Sequence, residues 1–198
     1  MWMRRTAGLV VAGLVALGLL GWGVNVGLQR LARSRSADAP APPPPIQATT
    51  AHITATLFYG STDGAALVPV RQEVPLADGP VAQGQQILRA LLQPPPKPLL
   101  PVVPLGTSLR AFYLTNNGDA FVDLTSDIAT KHPGGTHAEL LTVYAVVNAV
   151  TTNLQGVQRV QLLIDGKEAD SVAGHIDIRR PLTRDASMVR TEPPPAVQ

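Results

Sequence analysis

From Ala7 to Leu28 the chain runs for 22 residues without a charged side chain, and Asn25 is the one strongly polar member. As a helix rising 1.5 Å per residue, such a run reaches ~33 Å, enough to cross the hydrocarbon core of a bilayer. Glycine is frequent in it, as is common in membrane spans. The pattern predicts one transmembrane anchor over residues 7–28, behind a short basic tail, residues 1–6, that carries Arg4 and Arg5. The competing reading is a cleaved signal peptide with Ala37-Asp38-Ala39 as its cleavage site. A signal core is only about 7–15 residues long, and that tripeptide lies beyond Arg30, Arg33 and Arg35. Length therefore favours an uncleaved anchor. Arginines on both flanks leave the positive-inside rule undecided. A short basic tail before a long apolar run behaves as a signal-anchor. The expected location is the inner (cytoplasmic) membrane, single-pass, with the C-terminal part on the extracytoplasmic (periplasmic) side.

Residues 29–50 form a proline-rich stalk that ends Ala-Pro-Ala-Pro-Pro-Pro-Pro-Ile-Gln-Ala-Thr-Thr. Such a segment cannot bury a core and favours extended polyproline II, roughly 45–50 Å long from Ser34 onward. The folded part is expected over residues 51–182, followed by a disordered tail, residues 183–198, that contains Pro193-Pro194-Pro195. Within 51–182 there are 9 Lys and Arg against 11 Asp and Glu, a net charge of −2. The overall charge of +2 thus comes from the membrane flanks and the tail, and no nucleic-acid partner is expected. Cysteine is absent, which excludes disulfides, thiolate catalysis, Cys-ligated zinc and a lipidated N-terminal cysteine.

Alternation of apolar residues predicts a strand over 52–59 and a second over 67–74. Asp78-Gly79-Pro80 starts a helix that runs to about Gln93, and a proline-rich loop, 94–104, follows. Leu109–Thr115 and Ala120–Leu124 flank Asn117-Gly118 as a hairpin. A second helix is expected from Thr136 to about Leu154, with Thr136 as N-cap and Glu139 closing a capping box. Its apolar residues cover nearly the whole circumference, which predicts burial on most sides, by internal cover or by a subunit contact. Strands are expected over 157–164 and 175–179, with a short piece at 167–169. The fold class is α+β: a mixed or antiparallel sheet with two helices packed on one face, preceded by one transmembrane helix.

The sequence holds no nucleophile elbow, zinc-protease helix, Walker loop or dinucleotide fingerprint. No catalytic, cofactor-binding or metal-binding residue is assigned, and the binding residues are unknown. His132, His137 and Glu139 stand close together but match no ligand spacing, and Glu139 reads as a helix cap. Asp123 and Asp127 read as solvated loop acids or turn caps. Asp165, Glu168 and Asp170 lack the order of a calcium loop and read as a solvated turn. Tyr59, Phe112, Tyr113, Phe121 and Tyr144 are scattered and read as core.

Several segments taken together carry a resemblance: Leu57-Phe58-Tyr59 leading to Leu67-Val68-Pro69-Val70; a helix ending Leu91-Leu92; Pro104-Leu105-Gly106-Thr107; Ala120-Phe121-Val122-Asp123-Leu124; Glu139 to Tyr144; Val146 to Thr151; and Val157 to Gly166. From about Ile53 to Leu182 the chain resembles the GerMN family, the domain of the sporulation and spore germination protein GerM. One departure is Ala149-Val150-Thr151, where Thr-Leu-Thr is expected. The resemblance implies one α+β module, usually outside the cytoplasm and membrane-tethered, with no accepted catalytic residues and no cofactor. The expected function is a membrane-anchored, non-catalytic interaction or scaffold module of the bacterial cell envelope. Its partners would be the membrane through residues 7–28, other envelope proteins, and further copies of itself. The alternative is a binding module for peptidoglycan or a small ligand. A hydrolase would need a Ser or Thr, a His and an acid converging in space, and is dropped if no two of His52, His132, His137 and His175 lie near a pocket with an acid.

Overall fold

The computed structural model describes residues 51–190. The expected anchor (7–28), the stalk (29–50) and the end of the tail (191–198) lie outside the described residues. Among the described residues no helix is long and apolar enough to cross a membrane.

Strand β1 (His52–Gly60) pairs antiparallel with β2 (Leu67–Pro75), in unbroken register from His52↔Pro75 to Gly60↔Leu67. Ala55, Leu57, Phe58 and Tyr59 are all buried. Alternation gives way to two-sided burial at the end of β1 because the proline-rich loop closes over it. Gly60 and Leu100 exchange two backbone bonds, at 2.8 and 2.9 Å. A Cβ on Gly60 would stand 2.9 Å from Val102 Cγ1, so only glycine lets that loop approach.

Helix α1 (Gly79–Leu91) leads through the loop to β3 (Leu109–Leu114) and β4 (Asp119–Leu124), the expected hairpin. A short helix, α2 (Asp127–Thr130), inserts Ile128 into the core. Helix α3 (Thr136–Asn153) then crosses over to β5 (Arg159–Ile164), which runs parallel to β4 from Asp119↔Arg159 to Leu124↔Ile164. A parallel neighbour needs such a crossover. β6 (Lys167–Glu168) and β7 (Leu182–Thr183) both lie antiparallel to β5.

The class is α+β and the larger sheet is mixed. The expectation of a single sheet needs correction, because β1 and β2 form a separate two-stranded sheet. Helices α1 and α3 contact each other and strands of both sheets. This explains why α3 is apolar all round. Leu141, Val143, Ala145, Val146, Val147, Ala149 and Val150 are buried against β1, α1, β5 and β7. Two of its asparagines are matched by backbone, while the buried Thr152 hydroxyl has no partner among the described residues. Asn153 donates to Thr56 O at 2.7 Å and accepts from Thr56 N at 2.8 Å. Asn148 donates to Asp185 O at 2.8 Å and accepts from Asp185 N at 3.0 Å.

Two further expectations change. Residues 175–179 form no strand, because their backbone groups bond to buried side chains instead. Gln161 donates to Ile178 O at 2.6 Å, and His175 N is held by Glu139. The fold also continues past Leu182. Leu67 N donates to Met188 O and Arg190 N to Leu67 O, each at 2.8 Å, and Arg190 pairs with Asp63 at 2.9 Å. Residues 184–190 are thus a docked strap. Its attachment runs mainly through backbone groups, which leave no hydrophobic pattern.

Candidate functional site

The proline-rich loop and the start of α3 face each other across a cleft of about 220 Å³. Leu100 to Leu105 form one wall, and Pro133, Ala138, Leu141 and Thr142 form the other, with His132 and His137 at its edge. Leu100 is 42% exposed and Leu105 is 55% exposed, so two large apolar side chains stand free beside the opening. Neither a carboxylate nor a Trp, Tyr or Phe ring lines the cleft.

His132 ties the walls together. The Gly134 amide donates to its Nδ1 at 3.0 Å. That makes Nδ1 the acceptor and puts the ring proton on Nε2, which donates to Thr142 Oγ1 at 3.0 Å. The Thr142 hydroxyl then donates to Val102 O on the facing wall, with Ala138 O at 3.0 Å as its other acceptor. Burial lowers the His132 pKa from its ordinary value, and the nearby His175 adds to this. The Glu139 charge and the Ala138 carbonyl oppose the shift without cancelling it. Both nitrogens are therefore engaged in a neutral ring.

Glu139 does not cap its helix. The N-cap is Gly135, at φ 88° and ψ 138°, with no side-chain cap bond. The chain enters α3 through a left-handed glycine one residue earlier than expected, so Thr136 lies inside the helix and the capping box cannot close. Glu139 is fully buried and turned toward the loop 170–176. Its Oε1 accepts from the amides of Val172 and Ala173, both at 2.9 Å, and its Oε2 from the His175 amide at 2.8 Å. The His175 ring Nδ1 lies 3.1 Å from Oε2. Burial alone would raise the carboxyl pKa, but the amides of Ala173, His175 and Ile176 and the His175 ring bring it below its usual value.

The three residues weighed as ligands are therefore split: His132 and His137 line the cleft, and Glu139 serves the loop behind it. Among the described residues no group of three His, Asp or Glu is placed to hold a metal ion. Asp123 and Asp127 also part company. Asp123 is 5% exposed rather than solvated, accepts from Gly166 N at 2.7 Å and pairs with Arg110 at 3.3 Å. Asp127 pairs with Lys131 at 3.2 Å. Asp165 accepts from Arg110 at 2.8 Å and from the Ser126 amide at 3.2 Å, while Glu168 and Asp170 are exposed. Tyr59 and Phe112 are core as expected, and Phe121 and Tyr144 are half-buried. Tyr113 is 58% exposed, because alternation along β3 sends it to the face opposite Phe112.

Sequence reasoning missed the cleft itself. Its one signal was the density of prolines between Pro94 and Pro104 followed by His132-Pro133.

Comparison with known proteins bears on the fold and the family. A family model described as "Germane: Sporulation and spore germination" matches residues 56–170, more than half of the chain. The tandem GerMN domains of the sporulation protein GerM from Bacillus subtilis are similar at 18% identity and a TM-score of 0.54, over 68% of this chain and 46% of that one. The first GerMN domain of the same protein is similar at 20% identity and a TM-score of 0.50, over 67% of this chain and 96% of that one. At these identities the structures speak for the fold. This chain spans about half the length of the tandem structure. No curated protein matches it.

Proposed function

The chain belongs to the Germane family of sporulation and spore germination domains, and on that premise we propose that it is a non-catalytic docking module of the bacterial cell envelope. Residues 7–28 would anchor it in the inner membrane, and the proline-rich stalk would hold residues 51–190 away from the bilayer on the extracytoplasmic side. The observation that carries the reading is the cleft rim, where Leu100 and Leu105 remain 42% and 55% exposed beside an apolar opening. Exposed apolar groups flanking a concave surface suit burial by a protein partner. The ionisable groups nearby support the same reading, since His132 and Glu139 are occupied in holding loops together.

The glycan-binding alternative is served less well, because no aromatic ring edges the cleft for a sugar face to stack on. A hydrolase is served less well still, since the two histidines at the cleft meet no acid there. The test is photo-crosslinking of the full chain in membranes, with the crosslinker placed at Leu105. We expect adducts with an envelope protein or a second copy, lost when Leu100→Asp is added in a chain of unchanged thermal midpoint. Adducts unaffected by that charge would overturn the cleft as the docking surface. Protease access in whole cells and spheroplasts checks the sidedness.

A further inference from the structure

We propose that His132 makes the cleft responsive to acid: with the ring neutral its two walls are clasped and the rim is set for docking, and a second ring proton opens the clasp. This rests on the docking reading and names the regulation of that same site. The clasp is a chain of three bonds. Gly134 N donates to His132 Nδ1 at 3.0 Å, Nε2 donates to Thr142 Oγ1 at 3.0 Å, and the Thr142 hydroxyl donates to Val102 O. Leu100 is pinned separately, by its two backbone bonds to Gly60. Among the described residues the Thr142 bond is the one hydrogen bond that ties residues 101–105 to α3.

A further proton can go only to Nδ1, where it meets the Gly134 N–H. Two donors then face each other, and the ring has to leave its seat to find an acceptor. Thr142 Oγ1 loses the donor that orients it, and its own proton has a second acceptor on the same helix, Ala138 O at 3.0 Å. Val102 O is then let go. The charge also changes what docking costs. His132 lines the cleft and is half-buried, so a partner on the rim strips water from it. That costs far more for an imidazolium than for a neutral ring bonded at both nitrogens. Both effects weaken docking in acid. The groups around the ring set where this happens. Burial, helped by His175 of the loop 170–176, outweighs the pull of Glu139 on α3 and of the Ala138 carbonyl, so the ring stays neutral to below its ordinary range. The facing wall, residues 98–106, carries no ionisable side chain. Lys131, beside the ring in sequence, is paired with Asp127 at 3.2 Å. His137, exposed at the cleft edge, is the other ionisable group there.

The chain has no cysteine, so spin labels can be attached at Leu105→Cys and His137→Cys, one on each wall, which also removes His137 as a source of the effect. Electron–electron distances are measured on the full chain in detergent at about pH 7.5 and about pH 5, either side of the ordinary histidine value of about 6.5. The distance across the cleft should lengthen and broaden in acid. It should stay fixed in a His132→Asn background, whose side-chain oxygen offers Gly134 N an acceptor that does not titrate. In membranes, crosslinking at Leu105 should lose its adducts several-fold over the same interval and keep them in His132→Asn. An unchanged distance, an equal change in His132→Asn, or equal adducts at both pH values would overturn the proposal. The distance needs no partner, so a lack of adducts at every pH counts against the docking reading alone.

Discussion

Glu139 and His175 are bound twice over: the fully buried carboxylate accepts the His175 amide at 2.8 Å and lies 3.1 Å from the ring Nδ1. With the amides of Val172 and Ala173, four donors converge on one side chain. Removing it would strand three backbone amides. Glu139→Ala should destabilise the domain by about 3 kcal/mol, and Glu139→Gln by less, since one oxygen remains to accept. Urea unfolding of the two variants checks the order. A smaller loss for Glu139→Ala than for Glu139→Gln would contradict the role given to the carboxylate.

The same carboxyl has a pKa lowered by folding. Its contribution is present above the unfolded value, about 4.3, and is lost as pH falls through the folded one. His132 is lowered too, so the unfolded chain takes up its proton first. That contribution is complete above about 6.5 and drains away as the medium is acidified below it. Protonation also breaks the Gly134 amide bond to Nδ1. The thermal midpoint should therefore drop between neutrality and mild acid, with a shallower slope in His132→Asn. Equal slopes would remove His132 from the account.

Gly84 on α1 lies against Phe112 of β3, and a Cβ there would stand 2.4 Å from the ring Cε1. Gly84→Ala should cost about 1–3 kcal/mol by overpacking, despite the better helix propensity of alanine. Adding Phe112→Leu should recover part of the loss, and a double-mutant cycle measures the coupling.

Asn148 grips the Asp185 backbone from a fully buried position. Asn148→Leu should cost about 2 kcal/mol, because two backbone groups lose their partners. Hydrogen exchange at the Leu67 amide, which bonds to Met188 O, should speed up in parallel. Unchanged exchange there would mean that the strap holds without Asn148.

Elements with a strong period were legible from the residues. Strands β1 and β2, the Asn117-Gly118 hairpin and the two main helices follow from alternation, turn chemistry and helical spacing, while the pairing of β1 with β2 is seen only in the structure. Burial of α3 on most sides was legible from its apolar circumference, but the division of the strands into two sheets was not, since it depends on which strand ends meet across the helices. Glu139 shows the limit most clearly. The motif from Thr136 to Glu139 fits a capping box, yet Gly135 takes the N-cap, and the carboxylate binds amides more than thirty positions downstream. Local spacing cannot register an acceptor whose donors come from a loop without pattern. The strap escaped for the same reason, and the cleft because a cavity belongs to no single segment.

The hairpin of β1 and β2 has a mechanical consequence. The chain enters β1 at His52, and the strap meets the hairpin at its other end, where Val189 and Arg190 lie against Leu67. At ~3.3 Å per residue those points are about 26 Å apart along the strands. A tug between whatever precedes His52 and whatever follows Arg190 therefore runs parallel to the ladder, loading its rungs all at once rather than peeling them singly. A domain strung this way resists being drawn out along that line.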